Sequence, residues 1–191
     1  MPDFPVLVNE SPGGIAITAA SMECSLGGAF FQYVLGSPVI TTVWPGANHA
    51  IFFPFVISEW MSIERAIWEN GATVAGNVSI GIYDSQQNCC RDSAGGFAES
   101  HVAMTGASTT QVRAFSNAVV LPPGQYYGGF SSDSATATLG TFAAAANVGQ
   151  LRGMGVFNQL TAYPLPTPKA TFIVAADLVV PSVAFVARSV A

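Results

Sequence analysis

Asn77 to Asp84 reads NVSIGIYD, with Val78, Ile80 and Ile82 on one side of an extended chain and Ser79, Gly81 and Tyr83 on the other. Alternation with period two is the signature of a strand that buries one face. The stretch before it, GATVAG from Gly71 to Gly76, is small and loop-like. The same grammar runs through the chain. Nineteen Gly and twelve Pro interrupt it throughout, and no long segment keeps a helical period. These features predict an all-β protein.

The remaining strands follow from composition and punctuation. Extended segments are expected at Ile15–Ala19, Ala29–Leu35, Val39–Val43, Ala50–Ile57 and Ser62–Trp68, and again at Ser100–Met104, Gln111–Phe115, Gln125–Phe130 and Ala135–Phe142. Two more are expected near the end, at Ala170–Ala175 and Val183–Arg188. AIFFPFVI, from Ala50, is dense in aromatic residues, and Pro54 places it at a sheet edge or a bulge. SIERAIWEN also fits a short helix with Glu64, Arg65 and Glu69 on its polar side, but its Ile and Trp content and the strand that follows suit a β partner better. In LPPGQYY, Gly124 after two prolines predicts a type II turn with positive φ. YPLPTP, Tyr163 to Pro168, reads as a rigid extended connector to a neighbour or a sheet edge. Regular short strands separated by turns predict a jelly-roll-like β-sandwich over residues 50–191. Residues 1–49 are loop-rich and read as an extended N-terminal arm or interface segment.

Charge narrows the surroundings. Only 9% of the 191 residues are charged, against about 25% in an ordinary soluble domain. A surface so poor in charge is expected to be covered by other subunits, unless Ser and Thr keep a monomer soluble. The net charge is −5 and the six Lys and Arg are scattered, which argues against nucleic acid as a partner. Residues 24–58 carry no Asp, Glu, Lys or Arg, but Pro38, Pro45 and Pro54 break them, so no membrane-spanning helix is expected. The acidic, proline-broken start has no secretory signal pattern. Three cysteines, Cys24 and the adjacent Cys89 and Cys90 in a polar turn, lack metal-site spacing and read as reduced thiols, with a Cys24 disulfide as the alternative.

No chemistry-bearing motif stands out. His49 at a strand entry and His101 beside Glu99 read as a capping or surface residue and a weakly paired surface residue. Asp84 is expected to start a turn through its side chain. Glu59, Glu64 and Glu69 lie near Trp60 and Trp68, the one grouping of acids with aromatic residues. Sugar sites use that combination, and so do ordinary interfaces. Trp44, Trp60 and Trp68 are therefore the candidate interface or glycan contacts. No metal, no cofactor and no enzymatic activity are expected.

The segments IWENGATVAGNVSIGIYDSQQN and VLPPGQYYGGFSSDSATATLG, with the aromatic strand before them, resemble a β-sandwich module of tailed-bacteriophage structural proteins. In that module NGAT-x-x-GNV-x-x-GIYD ends a strand, a variable polar hairpin follows, and L-x-PG-x-YY opens the next strand. The likeness spans roughly Ile51 to Gly140, and Cys89 and Cys90 occupy its variable hairpin. It implies that Gly71 and Gly76 shape the loop. It also implies a non-enzymatic virion protein assembled in the bacterial host cytoplasm. Such a protein would decorate or cement the capsid shell as a homo-oligomer, expected to be a trimer, with the major capsid protein as partner. The alternative is a tail-fibre or receptor-binding module that recognises a host glycan.

Overall fold

A computed structural model describes residues 40–141, 155–174 and 179–189. Among them there are eleven strands and no helix. In chain order these are β1 (Ile40–Val43), β2 (His49–Ile57), β3 (Met61–Glu69), β4 (Asn77–Asp84), β5 (Glu99–Ala103) and β6 (Thr110–Leu121). β7 (Gly124–Ser132), β8 (Thr138–Thr141), β9 (Phe157–Gln159), β10 (Ile173–Val174) and β11 (Val183–Ser189) complete the set. A six-stranded sheet runs β10-β9-β2-β7-β4-β5, a three-stranded sheet runs β11-β3-β6, and β1 pairs with β8. All pairings are antiparallel. The expected segments at Ile15–Ala19 and Ala29–Leu35 lie outside the described residues.

The two larger sheets pack face to face as a β-sandwich. Ile51, Phe53 and Phe55 of β2, Val78, Ile80 and Ile82 of β4, and Phe130 of β7 line the inner face of the six-stranded sheet. They meet Ile63, Ala66 and Trp68 of β3, Phe115 and Val119 of β6, and Phe185 of β11. Phe185 lies between the layers, with its ring 5.5 Å from Phe55 and 6.3 Å from Phe53. SIERAIWEN is thus strand β3 and not a helix; a bulge between Ile63 and Arg65 sets its outward and inward residues. β8 closes one end, where Leu139 bridges Asn70 and Thr141 bridges Pro181. β1 pairs with β8 and Trp44 is buried in the core, so residues 40–49 pack with the sandwich; the rest of the expected arm lies outside the described residues.

The alternation in NVSIGIYD is real, but its second face is covered too. Ser79 and Tyr83 have no exposed surface. The segment after β9 crosses this outer face as a strap, burying Ala162, Leu165 and Ala170 against Ala50, Phe52, Tyr83 and Cys89. YPLPTP is therefore a cover, not a spacer. The Tyr83 hydroxyl donates to the Pro166 carbonyl at 3.0 Å, the Leu165 N–H donates to Ser79 Oγ at 3.0 Å, and the Cys89 N–H donates to the Pro168 carbonyl at 2.8 Å. Pro54 sits where β2 loses its β9 neighbour, because that pairing ends at Phe52 and Phe157. A missing N–H costs least at such an edge.

Two-sided burial needs room for rings, and glycines supply it. Gly128 faces inward, where an added Cβ would lie 2.6 Å from Phe53 Cζ and 2.7 Å from Phe185 Cε2. Gly129 faces outward, where a Cβ would lie 2.9 Å from Tyr83 Cε2 and 3.1 Å from Leu165 Cδ1. Its register partner Gly81 is the other half of that floor. Gly76, at φ +70°, turns the loop into β4. Gly124 does not adopt the expected positive φ; it opens β7, and a Cβ there would press on the Tyr126 ring at 3.3 Å. Tyr126 instead fixes this corner by donating its hydroxyl to the Pro122 carbonyl at 3.0 Å.

Gly128→Ala places a methyl against two packed rings, and overpacking of this kind costs about 1–3 kcal/mol. Urea unfolding should show an unfolding free energy lowered by that amount, whereas Gly95→Ala, whose Cβ meets open space, should show only the milder cost of its positive φ.

Candidate functional site

The three tryptophans have different fates. Trp44 is buried, stacks edge-on to Phe130 at 5.4 Å and donates its indole N–H to the His49 carbonyl at 3.0 Å. Trp68 is buried as an inward residue of β3, 6.0 Å from Phe130, and donates to Asn70 Oδ1 at 3.0 Å. Neither has a face left for a ligand, so both are core residues and not contacts. Trp60 alone is presented to solvent, 53% exposed in the turn between β2 and β3. Sequence reasoning overlooked Asn70, which is fully buried and also donates to the Thr105 carbonyl at 2.7 Å and to Gln111 Oε1 at 2.9 Å. It ties the end of β3 to the loop before β6. The signal was available: an Asn two residues after an inward Trp of a strand shares its face and has the indole N–H at hand.

The acids do not form a pair. Glu59 precedes β3, Glu64 lies at its bulge and Glu69 is its last residue. At about 3.3 Å per residue they are strung along the strand, Glu64 and Glu69 more than about 15 Å apart. Glycosidic cleavage needs carboxyls within about 5–9.5 Å of each other. The other described acids serve local structure. Asp84 accepts from the Gln86 and Asn88 N–H groups at 2.8 and 2.9 Å, forming the expected turn. Asp133 accepts from the Asn77 N–H and amide, both at 2.6 Å, latching the start of β4. Asp92 accepts from Asn117 at 3.0 Å and from the Ala94 and Gly96 N–H groups, and these bonds, Asn117 foremost, hold its carboxyl below the usual range.

One arrangement brings a hydroxyl, a carboxylate and an imidazole together. Ser79 Oγ donates to Glu99 Oε1 at 2.6 Å, and His101 Nδ1 lies 3.4 Å from the same oxygen. The order is wrong for nucleophilic catalysis, which puts the base between nucleophile and carboxylate. Here the carboxylate sits in the middle, and Ser79 is sealed under Leu165. His101 is a weakly paired rim residue. His49 is the first residue of β2 and buried, not a surface or capping residue. No group of three or more His, Cys, Asp or Glu suited to a metal occurs among the described residues.

The vicinal cysteines are not in an exposed turn. Cys89 is buried beneath the strap, while Cys90 packs against the core on the opposite side of the sheet. Neighbouring residues of an extended chain point to opposite faces, so the two thiols are turned away from each other. Both are free, and Cys24 lies outside the described residues. Burial pushes each thiol up from 9.0 to about 12.

What the described surface does offer is apolar area. Val112 and Val120 on β6, Val56 near Trp60, and Val43 at the β1 end are all exposed. Comparison with family models, with curated proteins and with solved structures finds no match to this chain.

Two measurements follow from these positions. Below about pH 9 the folded and unfolded chains both keep the Cys89 and Cys90 protons; above it the unfolded chain loses them while the folded chain holds them to about pH 12. The unfolded state then binds fewer protons, so unfolding free energy should fall steadily between about pH 9 and 12, and peptide-resolved alkylation near pH 7.5 should leave both residues unmodified until denaturant is added. Trp68→Ala should cost about 3–5 kcal/mol in urea unfolding, and Trp60→Ala no more than about 0.5 kcal/mol.

Proposed function

We propose that this chain is a non-enzymatic structural subunit that works by surface contact, and that its place is the shell of a tailed phage, where it decorates or cements the capsid. The observation that carries the reading is the commitment of polar groups. The described carboxylates at Asp84, Asp92 and Asp133 are engaged in turns and loops, Glu99 is held by Ser79 across β4 and β5 in a misordered Ser–Glu–His grouping whose hydroxyl is sealed, and apolar residues occupy exposed positions instead. A permanent contact gains about 25 cal/mol for each Å² of apolar surface it covers and needs no turnover. The resemblance of Ile51 to Gly140 to phage modules supplies the setting. The two-layer strand arrangement fits a jelly-roll-like subunit that meets a lattice through its exposed apolar residues.

Stabilisation would follow from mass action: a subunit that binds only the assembled lattice raises that lattice's stability by its binding free energy. The second reading, a receptor-binding module, draws on Trp60, which stands exposed beside the exposed Glu59 in a turn.

Purified protein mixed with capsids that lack it should co-sediment, saturate at a fixed ratio to the major capsid protein and raise the temperature at which the particles break. Binding to host cells without capsid binding, abolished by Trp60→Ala, would overturn the capsid reading in favour of the receptor one.

A further inference from the structure

The outer face of the three-stranded sheet carries a pattern with two-fold character. β3 is its central strand, between β11 and β6. After the bulge, Arg65, Ile67 and Glu69 point outward, while Ala66 and Trp68 point into the core. Register places Ala184 and Val112 on either side of Ile67, and Val186 and Ala114 on either side of Arg65. Glu69 faces Thr110. The middle row is therefore Ala184, Ile67 and Val112. Val112 is 49% exposed, and Ala184, Ala114 and Arg65 are exposed as well.

Charge is arranged about that row. Arg65 stands two residues before Ile67 and Glu69 two residues after it, each about 6.6 Å away along the strand. The two are about 13 Å apart, more than the roughly 8 Å screening length at physiological salt. Neither has an ion pair with another described residue. In a protein so poor in charge, Arg65 and Glu69 are set symmetrically about an apolar centre, with Arg188, opposite Ser62, at the far end of the same register.

We propose that this face binds a second copy of the chain, in a face-to-face pair about a two-fold axis that passes Ile67, lies parallel to the sheet and runs across β3. Such a rotation carries a residue two places before Ile67 onto one two places after it. Arg65 of each copy then stands over Glu69 of the other, making two equivalent ion pairs. Ile67, Val112 and Ala184 meet their own counterparts between them. Sheets packed face to face sit about 10 Å apart, a gap that Arg and Glu side chains together span. Such isologous contacts are the commonest way for identical chains to pair. The face is nine residues long on β3. At about 3.3 Å per residue and 4.8 Å per strand it measures roughly 30 by 14 Å. At roughly 420 Å² its area is about half the ~800 Å² per partner of a standard interface, so the pair is a weak one. The proposal concerns the free protein and stands apart from the capsid reading.

Sedimentation velocity of the full chain across a concentration series tests it. The wild type should show a monomer–dimer equilibrium. Arg65→Glu and Glu69→Arg, each alone, turn both ion pairs into like-charge contacts and should weaken dimerisation at least about tenfold. The double reversal, R65E with E69R, restores opposite charges across the axis and should recover wild-type affinity within about threefold. Rescue within one chain is ruled out by the 13 Å separation, and circular dichroism confirms that these surface variants fold. A monomer at every concentration overturns the proposal, as does a dimer that either single reversal leaves intact. A dimer whose double variant stays dissociated overturns it as well, because opposite charges restored across the axis must restore the pair.

Discussion

Everything in this fold depends on burying both faces of its central strands. β2 and β7 carry large aromatic residues on both faces and β4 adds Tyr83, so rings crowd each layer. A pleated sheet with a side chain at every position has no space for Phe53 and Phe185 on one side and Tyr83, Phe52 and Leu165 on the other. Gly128 and Gly129 remove a side chain from each face of β7 in succession, and Gly81 removes one from the neighbouring strand in register with Gly129. The inner layer can then close on Phe185, and the outer layer can accept Leu165. Glycine is entropically costly inside a strand, by roughly 0.5–1 kcal/mol relative to Ala, and the rings it admits outweigh that cost.

The strap follows from this floor. Once Leu165 seats on Gly81 and Gly129, the backbone around it falls against sheet residues with matching donors and acceptors. Tyr83, Ser79 and the Cys89 N–H each find a partner there, at Pro166, Leu165 and Pro168. Phe172 adds a ring 4.4 Å from Phe52 and 4.8 Å from Tyr127. The same cover takes Ser79 and Cys89 out of contact with solvent. Groups that look chemically capable in the sequence are thus held as structure.

Much of the strand pattern was legible in the sequence, because alternation and Gly/Pro punctuation report directly on extended geometry. NVSIGIYD and its Asp84 turn fall where expected, and Gly71 and Gly76 do shape the loop, Gly71 by lying against Thr138 and Gly76 by its positive φ. What a strand's second face packs against is not written locally. Leu165 is more than eighty residues from Tyr83, so a face of Ser, Gly and Tyr looked solvent-facing when it was an aromatic floor. The tryptophans failed for a related reason. Grouping Trp60, Trp68 and three glutamates by sequence distance ignored that a strand spreads neighbours along about 3.3 Å per residue and sends them to alternate faces. Applying alternation to AIWE would have sent Ala66 and Trp68 inward together. Gly124 was read from its prolines alone, whereas the Tyr126 ring beside it explains why no side chain stands there.

Scarcity makes the remaining charges informative. Arg91 donates to the Gly95 carbonyl at 2.9 Å and lies 3.8 Å over the Phe97 ring, and Arg113 donates to Ser100 Oγ at 2.7 Å. With Asp84, Asp92 and Asp133 engaged in turns and loops and Glu99 held by Ser79, few charged side chains are left to pair across a contact. Any contact made through the described surface would rest on shape and apolar area, with salt dependence confined to the few charges that face outward. A surface built this way sacrifices fast, electrostatically guided capture. It suits contacts that form once and persist, since apolar burial is nearly indifferent to ionic strength while exposed ion pairs are screened within a Debye length.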